Sequence, residues 1–91
     1  MQIHVQLLSI LRNCLPPGAE RGQATVTLPA NATLADLVTH LGIDRYLGLP
    51  TGDIISRANW QIRVSGQFEM DMERVLQDGD EVCVFPPVSG G

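Results

Sequence analysis

Four groupings in this sequence carry atoms able to do chemistry: the thiols Cys14 and Cys83, the imidazoles His4 and His40, the turn Asp78-Gly79-Asp80, and the closing string Phe85-Pro86-Pro87-Val88-Ser89-Gly90-Gly91. The first three read as ordinary structure. The cysteines are far apart and in no metal-ligand spacing, so neither a disulfide framework nor a zinc site is expected, and both thiols are expected reduced. No basic residue adjoins Cys83 in sequence to lower its pKa, which points to a packed or partner-covered cysteine. His4 and His40 have no acid or cysteine at a motif spacing; the first reads as a surface residue, the second as a helix-end residue whose positive form suits the C-terminal dipole. Asp78-Gly79-Asp80 lacks the further oxygen ligands of a calcium loop and reads as a turn with glycine in a left-handed conformation. No metal site and no catalytic constellation emerges from these three groupings.

The closing string is different. Pro86 and Pro87 cannot donate ladder hydrogen bonds, so they end a strand, and their restricted φ favours an extended exit. Gly90 and Gly91 lack a Cβ and are thin enough to thread a confined passage. The six residues from Pro86 to Gly91 reach about 20 Å when fully extended. There is also no lysine in the chain, so no lysine side-chain amine is present to accept an acyl group.

The elements that must position this tail fit one small domain: 91 residues, 44% hydrophobic, are enough for a single core and too few for two. We expect a domain over 1–85 and an extended tail over 86–91. The net charge is −4, and the six arginines (12, 21, 45, 57, 63 and 74) are scattered. A nucleic-acid or anionic-membrane partner needs a clustered basic footprint, so neither is expected. No apolar run approaches the ~20 residues of a spanning helix, and the N-terminus lacks the basic-then-apolar layout of a signal peptide. A soluble, cytoplasmic protein is the expectation.

Residues 2–8 alternate, with Ile3, Val5 and Leu7 on one face and His4, Gln6 and Leu8 on the other, as in a half-buried strand. A short helical turn over 9–15 is stopped by Pro16-Pro17-Gly18, and 23–28 alternates again, so the two strands are expected to pair antiparallel. Thr33-Leu34-Ala35-Asp36 has the form of a capping box, Leu34, Leu37, Val38 and Leu41 follow helical spacing, and Gly42 stands at the cap. The stretch 46–59 reads as loop with one edge strand around Ile54-Ile55. Trp60 to Val64 is a strand turned by Ser65-Gly66, Trp60 being a core or loop-covering aromatic, and 81–85 is the final strand. One main helix covers one face of such a sheet and leaves the other open. On the open side we place Gln6 and Leu8 of the first strand and Cys83 and Phe85 of the last. If those strands are neighbours, Leu8 and Phe85 form an apolar patch leading to the tail, a candidate partner interface; the competing reading tucks Phe85 under the 46–59 loop.

The string Leu76 to Gly91, with its Asp78-Gly79-Asp80 turn, Phe85-Pro86-Pro87 and terminal Gly90-Gly91, closely resembles the molybdopterin synthase small-subunit family, ubiquitin-like sulfur carriers related to the thiamine sulfur carrier. The opening alternation, the Thr33 to Gly42 helix and the Ser65-Gly66 turn fall where that family has theirs. The family commonly has Asn where this chain has Ser65, and the 46–59 loop matches no family consensus.

The resemblance implies an α+β, ubiquitin-like β-grasp roll with a mixed sheet and one main helix packed on one face. It implies that the Gly91 carboxylate is adenylated by an ATP-dependent, ubiquitin-activating-like enzyme and converted to a thiocarboxylate. The sulfur then goes to a pterin precursor in the large subunit of molybdopterin synthase, for the molybdenum cofactor. Pro86, Pro87, Val88, Ser89 and Gly90 would thread the partner, and the carrier itself would bind no cofactor, ATP being used by the activating enzyme. Carriers for thiamine, cysteine or tRNA thiolation have similar ends but usually lack the Phe-Pro-Pro string, and a ubiquitin-like protein modifier would instead join Gly91 to lysines of target proteins. A pure binding module is a further alternative, for which loss of Gly90 and Gly91 is harmless.

Overall fold

The alternation at the N-terminus folds as strand β1 (Gln2–Leu7) in a computed structural model whose described residues are 1–87. Ile3, Val5 and Leu7 are buried while Gln2 and His4 face out. Leu8 lies just past the strand and caps a 3₁₀ helix, Ser9–Cys14. Strand β2 (Gln23–Thr27) returns antiparallel, setting Val26 opposite Ile3 and Ala24 opposite Val5.

Helix α1 (Leu34–Leu41) begins with the reciprocal cap that its sequence spells out. The Asp36 N–H donates to Thr33 Oγ1 at 3.2 Å, and the Thr33 N–H donates to Asp36 Oδ2 at 2.9 Å. Leu34, Leu37 and Val38 join the sheet's inner residues in one core. Gly42 ends the helix at φ +76, in the left-handed region where a side chain is strained.

The 46–59 stretch corrects the sequence reading: it holds no edge strand but lies across two short helices, α2 (Ile43–Leu47) and α3 (Asp53–Ser56). Gly42 lets the chain turn sharply and re-enter helix at once, the Tyr46 N–H donating to the Gly42 carbonyl at 2.9 Å. Ile43 and Ile54, both 0% exposed, anchor one helix each. One inward residue per turn gives no readable period over four or five residues, which is why Ile54-Ile55 passes for a strand fragment. The Trp60 N–H bonds the Ile54 carbonyl at 3.0 Å, and the Trp60 side chain is buried where α3 hands over to strand β3 (Gln61–Val64).

The edge strand is instead β4 (Gln67–Phe68), joined to β3 by Ser65-Gly66 with φ of +49 and +87. Positive φ at both turn residues is the twist-matched hairpin geometry. Strand β5 (Glu81–Phe85) fills the centre of the sheet, whose order is β2-β1-β5-β3-β4. It runs parallel to β1 and antiparallel to β3, so the sheet is mixed, as expected. Val82 and Val84 complete the core.

Candidate functional site

The strand that leads into the tail is fixed at its start by two carboxylates. Gly79 takes φ +87 in the Asp78-Gly79-Asp80 turn and donates its N–H to the Gln2 carbonyl at 2.8 Å, while the Gln2 N–H donates to Asp78 Oδ1 at 2.7 Å. Asp80 Oδ2 accepts from the Gln77 N–H at 2.8 Å, and Asp80 Oδ1 accepts from the Ser65 hydroxyl at 2.9 Å. The Ser65 N–H also reaches the Glu81 carbonyl at 2.7 Å. One turn thus ties the beginning of β5 to β1 on one side and to the β3–β4 hairpin on the other. The left-handed Ser65 is held by these bonds and by the Glu81 N–H, which donates to its Oγ at 3.4 Å, at the position that strains it. Among the described residues no cluster of three or more His, Cys, Asp or Glu approaches metal-binding geometry.

Beyond this turn the outward residues of all five strands align in a row. Pairing sets Gln23 opposite Gln6, Gln6 opposite Cys83, Cys83 opposite Arg63, and Arg63 opposite Phe68. Phe85 stands two residues beyond Cys83 on the same face, paired with Gln61. Its ring lies 6.0 Å from that of Phe68 at 57°, an edge-inclined arrangement favoured by ring quadrupoles. Arg63 lies over both rings, its guanidinium carbon 4.6 Å from the Phe68 centroid and 5.5 Å from that of Phe85. Phe85 is therefore half-buried within an aromatic and cationic cluster on the open face, where the interface reading had placed it.

Leu8 is half-buried beside the end of β5, its N–H donating to the Val84 carbonyl at 3.2 Å. Gln6 and Cys83 are half-buried neighbours in register. Sequence adjacency had offered Cys83 no cation, but the sheet supplies one: Arg63 favours the thiolate, while the larger effect of burial pushes the thiol pKa up. The polar half of the face, around His4, Gln6, Gln23, Thr25 and Arg63, forms an open depression of about 610 Å³, with His4 Nδ1 hydrogen-bonded to Thr25 Oγ1 at 3.1 Å. Sequence reasoning missed Arg63 and Phe68. The alternation over 60–64 carried the signal for Arg63, and the two-residue turn at Ser65-Gly66 fixed the register that brings Phe68 beside it.

Pro86 is half-buried and Pro87 exposed, immediately after the strand end. Val88, Ser89, Gly90 and Gly91, the remaining tail positions named from sequence, lie outside the described residues. The described part offers contact: two rings, a guanidinium and side-chain amides around the point where the chain leaves the sheet. Among the described residues no helix is long and apolar enough to cross a membrane.

Comparison with known proteins agrees with this geometry. The chain is 38% identical over 74 residues to the molybdopterin synthase sulfur carrier subunit of Phaeosphaeria nodorum, covering 77% of this chain and 76% of that protein. The solved structure of small archaeal modifier protein 1 from Haloferax volcanii superposes with a TM-score of 0.65 at 20% identity, over 96% of this chain and 98% of that one. A chain in the solved protein–protein complex of subunits 1 and 2 of the molybdopterin-converting factor from Helicobacter pylori matches with a TM-score of 0.59 at 21% identity, over the whole of both chains. The fold is thus the ubiquitin-like β-grasp. The ThiS family model matches residues 5–91, running through Gly90 and Gly91, and with nearly all of the sequence covered the chain belongs to the ThiS family.

Proposed function

We propose that this chain is the sulfur carrier and non-catalytic small subunit of molybdopterin synthase, with the Gly91 carboxylate as the group that carries sulfur. The observation that most favours this reading is the 38% identity to a sulfur carrier subunit of that synthase, joined to a family match that extends through Gly91. The site geometry suits it. A tail that must visit two enzymes is best launched from a fixed point beside a docking surface, and Pro86-Pro87 follows directly on Phe85 of the aromatic face.

A carboxylate is a poor electrophile because its leaving group would be oxide. In the proposed cycle an activating enzyme supplies ATP, the Gly91 carboxylate attacks the α-phosphate, and pyrophosphate leaves. Hydrosulfide, or a donor equivalent to it, then attacks the acyl carbon and expels AMP, leaving the thiocarboxylate. The large subunit receives the tail and the sulfur passes to a pterin precursor there; a Helicobacter pylori structure that pairs subunit 1 with subunit 2 favours such a partner. The carrier contributes position and reach, and no cofactor of its own. Val88 and Ser89 would follow Pro86-Pro87 into the partner, and Gly90 and Gly91, which lack a Cβ, are thin enough to thread the narrowest part.

The test is the intact mass of the chain after incubation with an activating enzyme, ATP and sulfide, with the C-terminal peptide sequenced. Replacement of one oxygen by sulfur at Gly91 is expected, and a chain extended by one tryptophan beyond Gly91 should fold and stay unsulfurated. Equal loading of the extended chain, or none of the native one, rejects the mechanism. Covalent ladders to lysines of other proteins would instead favour the modifier reading.

A further inference from the structure

We propose that Arg63 is the charge-reading element of the open face, and that the large subunit, which this inference takes from the function proposed above, presents a carboxylate side chain to it. The observations are geometric. Arg63 is exposed at the middle of the face, its guanidinium set over Phe68 and near Phe85, at 4.6 and 5.5 Å from the two centroids. The ion pairs among the described residues join Arg57 to Asp53 and Arg74 to Glu69, and neither involves Arg63. Phe68 is 60% exposed, far more than a ring serving the core of its own domain.

A guanidinium presents five donors in a rigid plane and is weakly hydrated enough to rest on aromatic rings. The rings leave its edge for recognition while limiting its rotamers, so little ordering entropy remains to be lost when an anion binds. A partner that covers Phe68 and Phe85 must also remove water from Arg63, because the cation lies against both rings. Burying a cation without an opposing charge is strongly unfavourable, whereas a carboxylate matches the guanidinium edge in two parallel hydrogen bonds. Apolar contact with the rings therefore admits many surfaces, and Arg63 selects among them: a partner with an acid at this point is accepted, and one with a base is rejected.

The test uses the full chain and the large subunit from the same source, with the dissociation constant measured by calorimetry at 50 and 500 mM NaCl. The variants are Arg63→Lys, Arg63→Met, Arg63→Glu and, as a control on the rings, Phe85→Ala. Thermal melting checks that each is folded, and an exposed strand position should tolerate all three Arg63 changes. Arg63→Met should weaken binding at least about tenfold at low salt and Arg63→Glu more, with Arg63→Lys between wild type and Met. The gap between Glu and Met should shrink at high salt, whereas the Phe85→Ala defect should change little. If Arg63→Met and Arg63→Glu bind within about twofold of wild type while Phe85→Ala is weakened, the charge-reading role is overturned and docking through the rings stands. If Phe85→Ala also binds normally, or the wild-type chain does not bind, the docking partner falls with it. The Gly91 mass measurement decides sulfur carriage independently.

Discussion

Replacing Asp80 by alanine probes how the tail strand is held. The substitution removes two hydrogen bonds, from the Gln77 N–H at 2.8 Å and from the Ser65 hydroxyl at 2.9 Å, both to a carboxylate. Charge-assisted bonds contribute roughly 1.5–3 kcal/mol each when well shielded. Asp80 is only half-buried, so about 1 kcal/mol each is the appropriate discount, or about 2 kcal/mol in all. For a domain of this size that lowers the melting temperature by ~8–16 °C, measurable by circular dichroism. The mechanism has a sharper signature in a double-mutant cycle: Ser65→Ala and Asp80→Ala should be coupled by about 0.5–1 kcal/mol, because the second change removes a bond already lost to the first. A melting shift under about 3 °C for Asp80→Ala, or effects of the two variants that simply add, would refute the view that this turn joins β5 to the hairpin.

Two further outcomes follow from the structure. Arg74, bonded to Glu69 at 2.9 Å, is the largest cause holding the Glu69 carboxyl below the ordinary 4.5, with the Asp71 N–H adding to it. A folded-state value below the unfolded one contributes stability above about pH 4.5, lost as pH falls through the folded value. The melting gap between wild type and Glu69→Gln should then be widest at neutral pH and close toward pH 3; a constant gap counts against the pair. Leu37→Ala, at a side chain 1% exposed, should cost about 2–5 kcal/mol by urea melting, while Met70→Ala, at 80% exposure, should fall within about 0.5 kcal/mol of wild type; similar losses for both would mean α1 is not packed as described.

The parts of the fold written in strong local code were legible in the sequence. The Thr33–Asp36 box with Gly42 gave α1, alternation gave β1 and β2, and β3 and β5 were also located, because a period of two and a reciprocal cap are set within a few residues. The 46–59 segment was misread because α2 and α3 are each a single turn or little more, and their hold on the core rests on Ile43 and Ile54, whose burial is a property of the assembled fold. The site divided the same way. Gln6, Cys83 and Phe85 followed from face parity on β1 and β5, Leu8 lies past the end of β1, and Arg63 and Phe68 needed the order of strands across the sheet. That order, with β5 inserted between β1 and β3, is a long-range pairing that no single segment encodes. The thiol of Cys83 likewise gained its cationic neighbour from a strand distant in sequence.

The central place of β5 bears on what happens when the tail is pulled. A carrier leaving an enzyme is drawn back against whatever grips its end, and the force enters the domain along Pro86 and Phe85. An edge strand under such tension would peel off one bond at a time. β5 is instead flanked on both sides, in register over four residues with β1 and four with β3, and tension along its axis loads those ladders in shear, so that many bonds must fail together. The sheet is thus built to behave as an anchor: in the proposed cycle, a pull on the residues beyond Phe85 would leave the body to which they are attached folded.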